Sequence, residues 1–135
     1  MKKLLTLILI TLCSFTFAQD SKLQSLDIDL NKYEYPYPVS YITLNTQQQE
    51  LKMAYMNIKP DNYNGKNVLL LHGKNFNGAY WKTTINALTT AGYQVIVPDQ
   101  IGFGKSAKPD HYQYTFQQLA VNTKAILDFL EINKT

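Results

Sequence analysis

The residues with the clearest chemical potential lie in two short loops, each directly after a run of apolar side chains. The first stretch is Leu69-Leu70-Leu71-His72-Gly73-Lys74-Asn75-Phe76-Asn77-Gly78. A glycine at the end of a buried strand lets the chain turn sharply, so that a following backbone N–H can point into a cleft instead of into a β-ladder. Such a donor can stabilise the oxyanion that forms during acyl transfer. The second stretch is Pro98-Asp99-Gln100-Ile101-Gly102-Phe103-Gly104-Lys105-Ser106-Ala107-Lys108-Pro109, in which two glycines and a serine mark a tight, ordered loop. Phe76 and Phe103 fall in these loops, where a side chain either contacts substrate or packs as an ordinary anchor.

Both loops need strands to carry them. Residues 68–71 form a continuous apolar run, the pattern of a strand buried on both faces of a parallel sheet, and residues 95–97 form a second one closed by Pro98-Asp99. Between them Trp81, Ile85, Leu88 and Ala91 recur at helical spacing, with Gly92 where a helix end favours a left-handed residue. Upstream, residues 39–45 and 51–58 favour β structure and read as an antiparallel hairpin joined by residues 46–50. Downstream, Thr115 and Gln118 fit a capping box, and Phe116, Leu119, Ala120, Thr123, Leu127 and Leu130 share one face of an amphipathic helix. A hairpin followed by strand, helix, strand and helix predicts an α/β fold, a mostly parallel sheet with helices on its faces.

Residues 1–18 have the pattern of a secretory signal peptide: Lys2 and Lys3, an apolar run, then Thr16-Phe17-Ala18 before polar Gln19-Asp20. Cleavage is expected after Ala18, which gives an exported protein, periplasmic or extracellular, with no stable membrane anchor. The alternative, an uncleaved anchor, has an apolar run shorter than the ~20 residues of a spanning helix. Lipidation at Cys13 is disfavoured because Leu12 stands where a small residue belongs. Cys13 is the only cysteine, so the mature chain forms no disulfide and no cysteine-ligated metal site. Without Lys2 and Lys3 the thirteen basic residues become eleven, against ten acidic ones, a near balance that predicts no nucleic-acid partner. Residues 19–38 read as an extended lead-in whose Tyr33-Glu34-Tyr35-Pro36-Tyr37-Pro38 packs on a surface, the alternative being a short proline-rich ligand for another domain.

An H-G motif after an apolar strand, a helix bearing Trp81, and then D-x-x-G-x-G-x-S from Asp99 to Ser106 together resemble the N-terminal half of the α/β-hydrolase fold superfamily. From about Tyr33 onward the chain is similar to a secreted bacterial branch in which Tyr-Pro-Tyr-Pro precedes a hairpin and the loop reads H-G-K-N-F. The resemblance implies that Lys74 offers its backbone N–H to an oxyanion hole. His72, Gly73, Asn75 and Phe76 would shape that loop, while Asp99, Gly102, Gly104 and Ser106 would form a structural loop. It also implies that residues 39–135 are an incomplete domain, ending before the strand that carries the G-x-S-x-G nucleophile elbow. Residues 68–71 would then lie on an open sheet edge. No cofactor and no metal are implied, and the partner of the full-length protein is a small-molecule substrate. A non-catalytic binding or structural module built on the same fold is the alternative.

Three other readings fail on spacing. Gly104-Lys105-Ser106-Ala107-Lys108 imitates the first half of the elbow, but Lys108 replaces its closing glycine and Pro109 forbids an immediate helix. A phosphate-binding P-loop needs glycine five positions before Gly104, where Asp99 stands. Asp99 and His111 come too early for the family order of nucleophile, acid and histidine.

Overall fold

A computed structural model describes residues 25–135. The signal peptide assigned to residues 1–18 and the start of the lead-in lie outside the described residues. The elements in order are strands β1 (Val39–Thr46), β2 (Gln49–Ile58) and β3 (Asn67–Leu69), a 3-10 turn at Gly78–Trp81, helix α1 (Lys82–Thr90), strand β4 (Gln94–Pro98) and helix α2 (Phe116–Phe129). The four strands form one mixed sheet in the order β1-β2-β4-β3, with β1-β2 and β2-β4 antiparallel and β3-β4 parallel. The sheet is thus mixed, with one parallel pair.

The hairpin is tighter than the sequence suggests. Pairing runs on to Thr46↔Gln49, so only Gln47 and Gln48 turn the chain, both at positive φ (49° and 59°). A two-residue loop of that hand matches the twist of the strands it joins. Side-chain bonds from this end of the hairpin to the segment before α2 help hold the turn. Gln47 Oε1 accepts from the Gln113 amide at 2.8 Å, and Gln49 Nε2 donates to the His111 carbonyl at 2.6 Å.

β4 is the spine of the sheet. All five of its residues are buried, since β2 covers one edge, β3 the other, and a helix lies on each face. Met56, Ile85, Val95 and Val97 form the core on the α1 face. Ile42, Leu44, Leu51, Met53, Tyr55, Ile96, Ile101 and Ile126 form the core on the α2 face. β2 alternates as expected at Leu51, Met53 and Tyr55, yet Ala54 and Met56 are buried too, because that strand is also covered on both sides.

The strand expected at residues 68–71 is shorter and less buried. β3 ends at Leu69, the Leu70 amide still donates to Ile96 O at 2.9 Å, and Leu71 is exposed. The reason is position: β3 is the edge of the sheet and has a neighbour on one side only. A groove of about 460 Å³ opens beside it, lined by Leu69, Leu71, Phe116, Leu119 and Leu127 among others. The same geometry corrects the helix stripe. Asn122, Thr123 and Ile126 are the buried residues of α2, whereas Phe116 is 89% exposed at the mouth of the groove.

The helix ends follow local chemistry. Thr115 Oγ1 accepts from the Gln118 amide at 3.0 Å, but the Gln118 side chain turns to Asn122 Oδ1 at 2.8 Å, so the capping box is half made. α1 closes at Gly92 in the left-handed region. α2 closes in the same way at Glu131, with φ 58°, while the Ile132 amide reaches back to Leu127 O at 2.9 Å. A side chain in that conformation costs roughly 1–2 kcal/mol, partly offset by the extra chain entropy that glycine would lose. Glu131→Gly should therefore raise stability by about 0.5–1 kcal/mol, read from a denaturant midpoint; an unchanged or lower midpoint would contradict the strain.

Candidate functional site

β3 and β4 run parallel in the register Val68↔Val95, so the loops that leave their C-terminal ends emerge side by side. Ligand sites of open α/β sheets gather at that edge. The loop after β3 holds His72, Gly73, Lys74, Asn75 and Phe76, and the loop after β4 holds Asp99, Gly102, Gly104 and Ser106. The two are tied together at two adjacent residues.

Asp99 is the first tie. Its carboxylate is 1% exposed and accepts three hydrogen bonds: Gly78 N–H on Oδ1 at 2.6 Å, Lys105 N–H on Oδ2 at 2.7 Å, and the Tyr35 hydroxyl on Oδ2 at 2.6 Å. A carboxylate taken out of water needs such donors to offset its lost hydration. Gly104, at φ 54°, passes so close that a Cβ would overlap the carboxylate. Gly78 is equally confined, because a Cβ there would stand 2.9 Å from Val97 Cγ1.

Gln100 is the second tie. Its amide donates to His72 Nε2 at 2.9 Å, which leaves the ring proton on Nδ1, 2.9 Å from the Gly73 carbonyl. Both ring nitrogens are thus engaged with backbone, and Phe103 packs edge-on to the imidazole at 5.6 Å between centroids. His72 is a brace here, with no nitrogen free to move a substrate proton.

Between these ties the chain makes a turn closed by Phe76 N–H to Gly73 O at 3.2 Å, with Asn75 at φ 66°. Among the described residues, nothing accepts a hydrogen bond from the Lys74 or Asn75 amides. Lys74, Asn75 and Phe76 are exposed. The arrangement is a solvent-facing loop carrying free N–H donors and held at both ends by a buried frame. Such amides can serve an anionic oxygen without reorganising.

Ser106 is fully buried, and its hydroxyl is used twice, accepting from the Ala54 amide at 2.8 Å and donating to the Asp99 carbonyl at 2.6 Å. It fastens the loop to β2 and has no path to a substrate. Gly102 donates to Ala107 O at 2.8 Å, and Lys108 Nζ bonds the carbonyls of Gly104 and Ser106 at 2.7 and 2.9 Å. Burial of that ammonium lowers its pKa from the ordinary lysine value. The loop from Asp99 to Lys108 is thus held by bonds within itself and by bonds to β2 and α2, the latter from Gln100 Nε2 to Thr123 Oγ1 at 2.8 Å.

Reasoning from sequence missed Tyr35, Gly78 and Gln100 as members of this frame. Gly78 and Gln100 stood inside the quoted motifs without a role. Tyr35 lies 64 residues from Asp99, and no local pattern links the two.

Residues 66–134 match the α/β hydrolase fold family, and the chain belongs to that family. It is 33% identical over 101 residues to a haloalkane dehalogenase of Mycolicibacterium paratuberculosis, an alignment that covers 73% of this chain and 31% of that protein. The crystal structure of a probable hydrolytic enzyme from Pseudomonas aeruginosa superposes with a TM-score of 0.77 at 50% identity, covering 78% of this chain and 34% of that one. An esterase from Exiguobacterium antarcticum superposes with a TM-score of 0.55 at 26% identity, over 62% of this chain and 29% of its own. The chain therefore spans about a third of the length of these relatives.

Burial and the adjoining Asp99 carboxylate raise the pKa of the Tyr35 phenol above the ordinary tyrosine value of 10.0. The folded protein keeps that proton at a pH where the unfolded chain has begun to lose it. Stability from this group is fully present below about pH 10 and falls as pH rises beyond it. Denaturant midpoints measured from about pH 9 to about pH 11 should decline, and the decline should be shallower in Tyr35→Phe. Parallel profiles for the two proteins would remove Tyr35 as the cause.

Proposed function

We propose that this chain is the N-terminal part of an exported serine-type hydrolase that cleaves an ester, amide or similar bond. In this reading the chain supplies one oxyanion donor, the Lys74 amide, while nucleophile, acid and base belong to residues outside it. One observation carries the proposal: a Lys74 N–H without an acceptor among the described residues sits on an exposed turn whose two ends are pinned by Asp99 and Gln100. Preorganised donors of this kind stabilise the developing charge of an acyl-transfer transition state. The esterase and the probable hydrolytic enzyme among its structural relatives support the reaction class. The open edge of β3, beside an apolar groove, supports a sheet that continues in the longer protein.

The test uses the longer protein and a short-chain nitrophenyl ester. Lys74→Pro deletes the N–H and should lower kcat about 10²–10³-fold, roughly 2.7–4 kcal/mol, while Lys74→Ala keeps the amide and should change little. Equal effects of the two substitutions would place the role in the side chain and refute the main-chain donor.

Export is supported by the basic start, apolar run and Ala18 of the first residues. Mass spectrometry of the secreted or periplasmic protein should find a chain beginning at Gln19. An intact Met1 on a cytoplasmic product would overturn it.

A further inference from the structure

The segment ahead of the sheet reaches the site through one side chain. Tyr35 lies just before β1, and its hydroxyl donates to Asp99 Oδ2 at 2.6 Å. The Lys105 amide holds the same oxygen at 2.7 Å, so the two donors together fix the rotation of the carboxylate. With its rotation fixed, Oδ1 is aimed at Gly78 N–H, 2.6 Å away. Gly78 ends the loop that begins at His72-Gly73. Tyr35 is itself positioned: Tyr33 packs edge-on against its ring at 5.9 Å between centroids, and Lys105 Nζ lies 5.1 Å from the ring centre on the other contact. Tyr37, two residues on, makes a different bond, donating to Asn86 Oδ1 on α1. Both tyrosines tie the same segment to the body of the protein, but only Tyr35 touches the group that holds the loop.

We infer that Tyr35 is a positioning residue for the loop bearing the Lys74 amide, acting through the Asp99 carboxylate and the Gly78 N–H. The inference rests on the hydrolase reading above for its effect on rate, though not for its effect on the loop. Removing the hydroxyl leaves Oδ2 with one donor. The carboxylate is then free to turn or to take a water, and the grip on Gly78 loosens. A loop displaced by a fraction of an ångström presents its amides off the line of the developing oxyanion, which costs rate more than substrate affinity.

The experiment compares Tyr35→Phe with Tyr37→Phe in the longer protein. Tyr35→Phe should lower kcat about 10-fold with KM changed less than about 2-fold, and it should speed amide hydrogen exchange at Gly78. Tyr37→Phe should leave kcat, KM and Gly78 exchange at parental values, whatever it does to stability. A folded Tyr35→Phe with parental kcat and parental Gly78 exchange overturns the inference, as does an equal fall in kcat for both variants. If the parent hydrolyses no ester, the reaction assignment fails, and Gly78 exchange alone decides whether Tyr35 positions the loop. If Tyr35→Phe does not fold, Tyr35→Gln retains a donor and should restore both the fold and Gly78 protection; restored folding with an unprotected Gly78 would equally refute the role.

Discussion

The carboxylate of Asp99 is the constraint on which the two loops depend. It is buried at the end of β4, and the ion pair found among the described residues is elsewhere, between Lys124 and Asp128 on the surface of α2. A charge withdrawn from water with no cation in ion-pair contact must be held largely by oriented dipoles, or the loss of several kcal/mol of hydration goes uncompensated. The three donors come from three distant segments: Tyr35 before the sheet, Gly78 after β3, and Lys105 within the loop that follows β4. The loops therefore acquire their shape together. Gly104 belongs to the same constraint, since only a residue without Cβ leaves the carboxylate room to stand where it does.

That frame treats the two loops differently. Several polar groups inside the loop after β4 are spent on one another or on β2, as Ser106 illustrates by bridging Ala54 and the Asp99 carbonyl. The turn after β3 is the reverse, held at its ends and, among the described residues, with no acceptor for the amides of Lys74 and Asn75. Rigid support beneath unsatisfied donors is what electrostatic preorganisation requires. The parallel pairing of β3 with β4 brings the two loops to the same edge. Asn67 Nδ2 also donates to the Lys134 carbonyl at 2.9 Å, which sets the end of the chain beside the start of β3.

Much of the fold was legible because it follows from local patterning. The hairpin, the buried β4, α1 with its glycine end and α2 with its Thr115 cap each answer to a periodicity or a terminal residue. Where the reading slipped, a neighbour decided. Residues 68–71 have the composition of a doubly covered strand, and they do stand at the open edge expected of them; with one neighbour, the strand stops at Leu69 and leaves Leu71 exposed. Gln47 and Gln48 are not turn formers by type; side-chain bonds to Gln113, far along the chain, help hold the turn they make. Gln118 had a choice between Thr115 and Asn122 and took the latter, which no spacing rule could rank.

For the candidate site, the sequence by itself determined which loops follow the two strands and which residue types stand in them: His72-Gly73-Lys74 after one strand, Asp99 to Ser106 after the next. Those are local facts, written in runs of apolar residues that end at glycine. Only the tertiary structure decided how the loops are held. The bond from Tyr35 to Asp99 joins residues 64 apart, that from Gly78 to Asp99 joins residues 21 apart, and that from Gln100 to His72 joins residues 28 apart. Hydrogen bonds at such separations form because the strands are packed in a particular order and register. Order and register are set by the burial of β4 against everything around it, which no single stretch of the chain specifies.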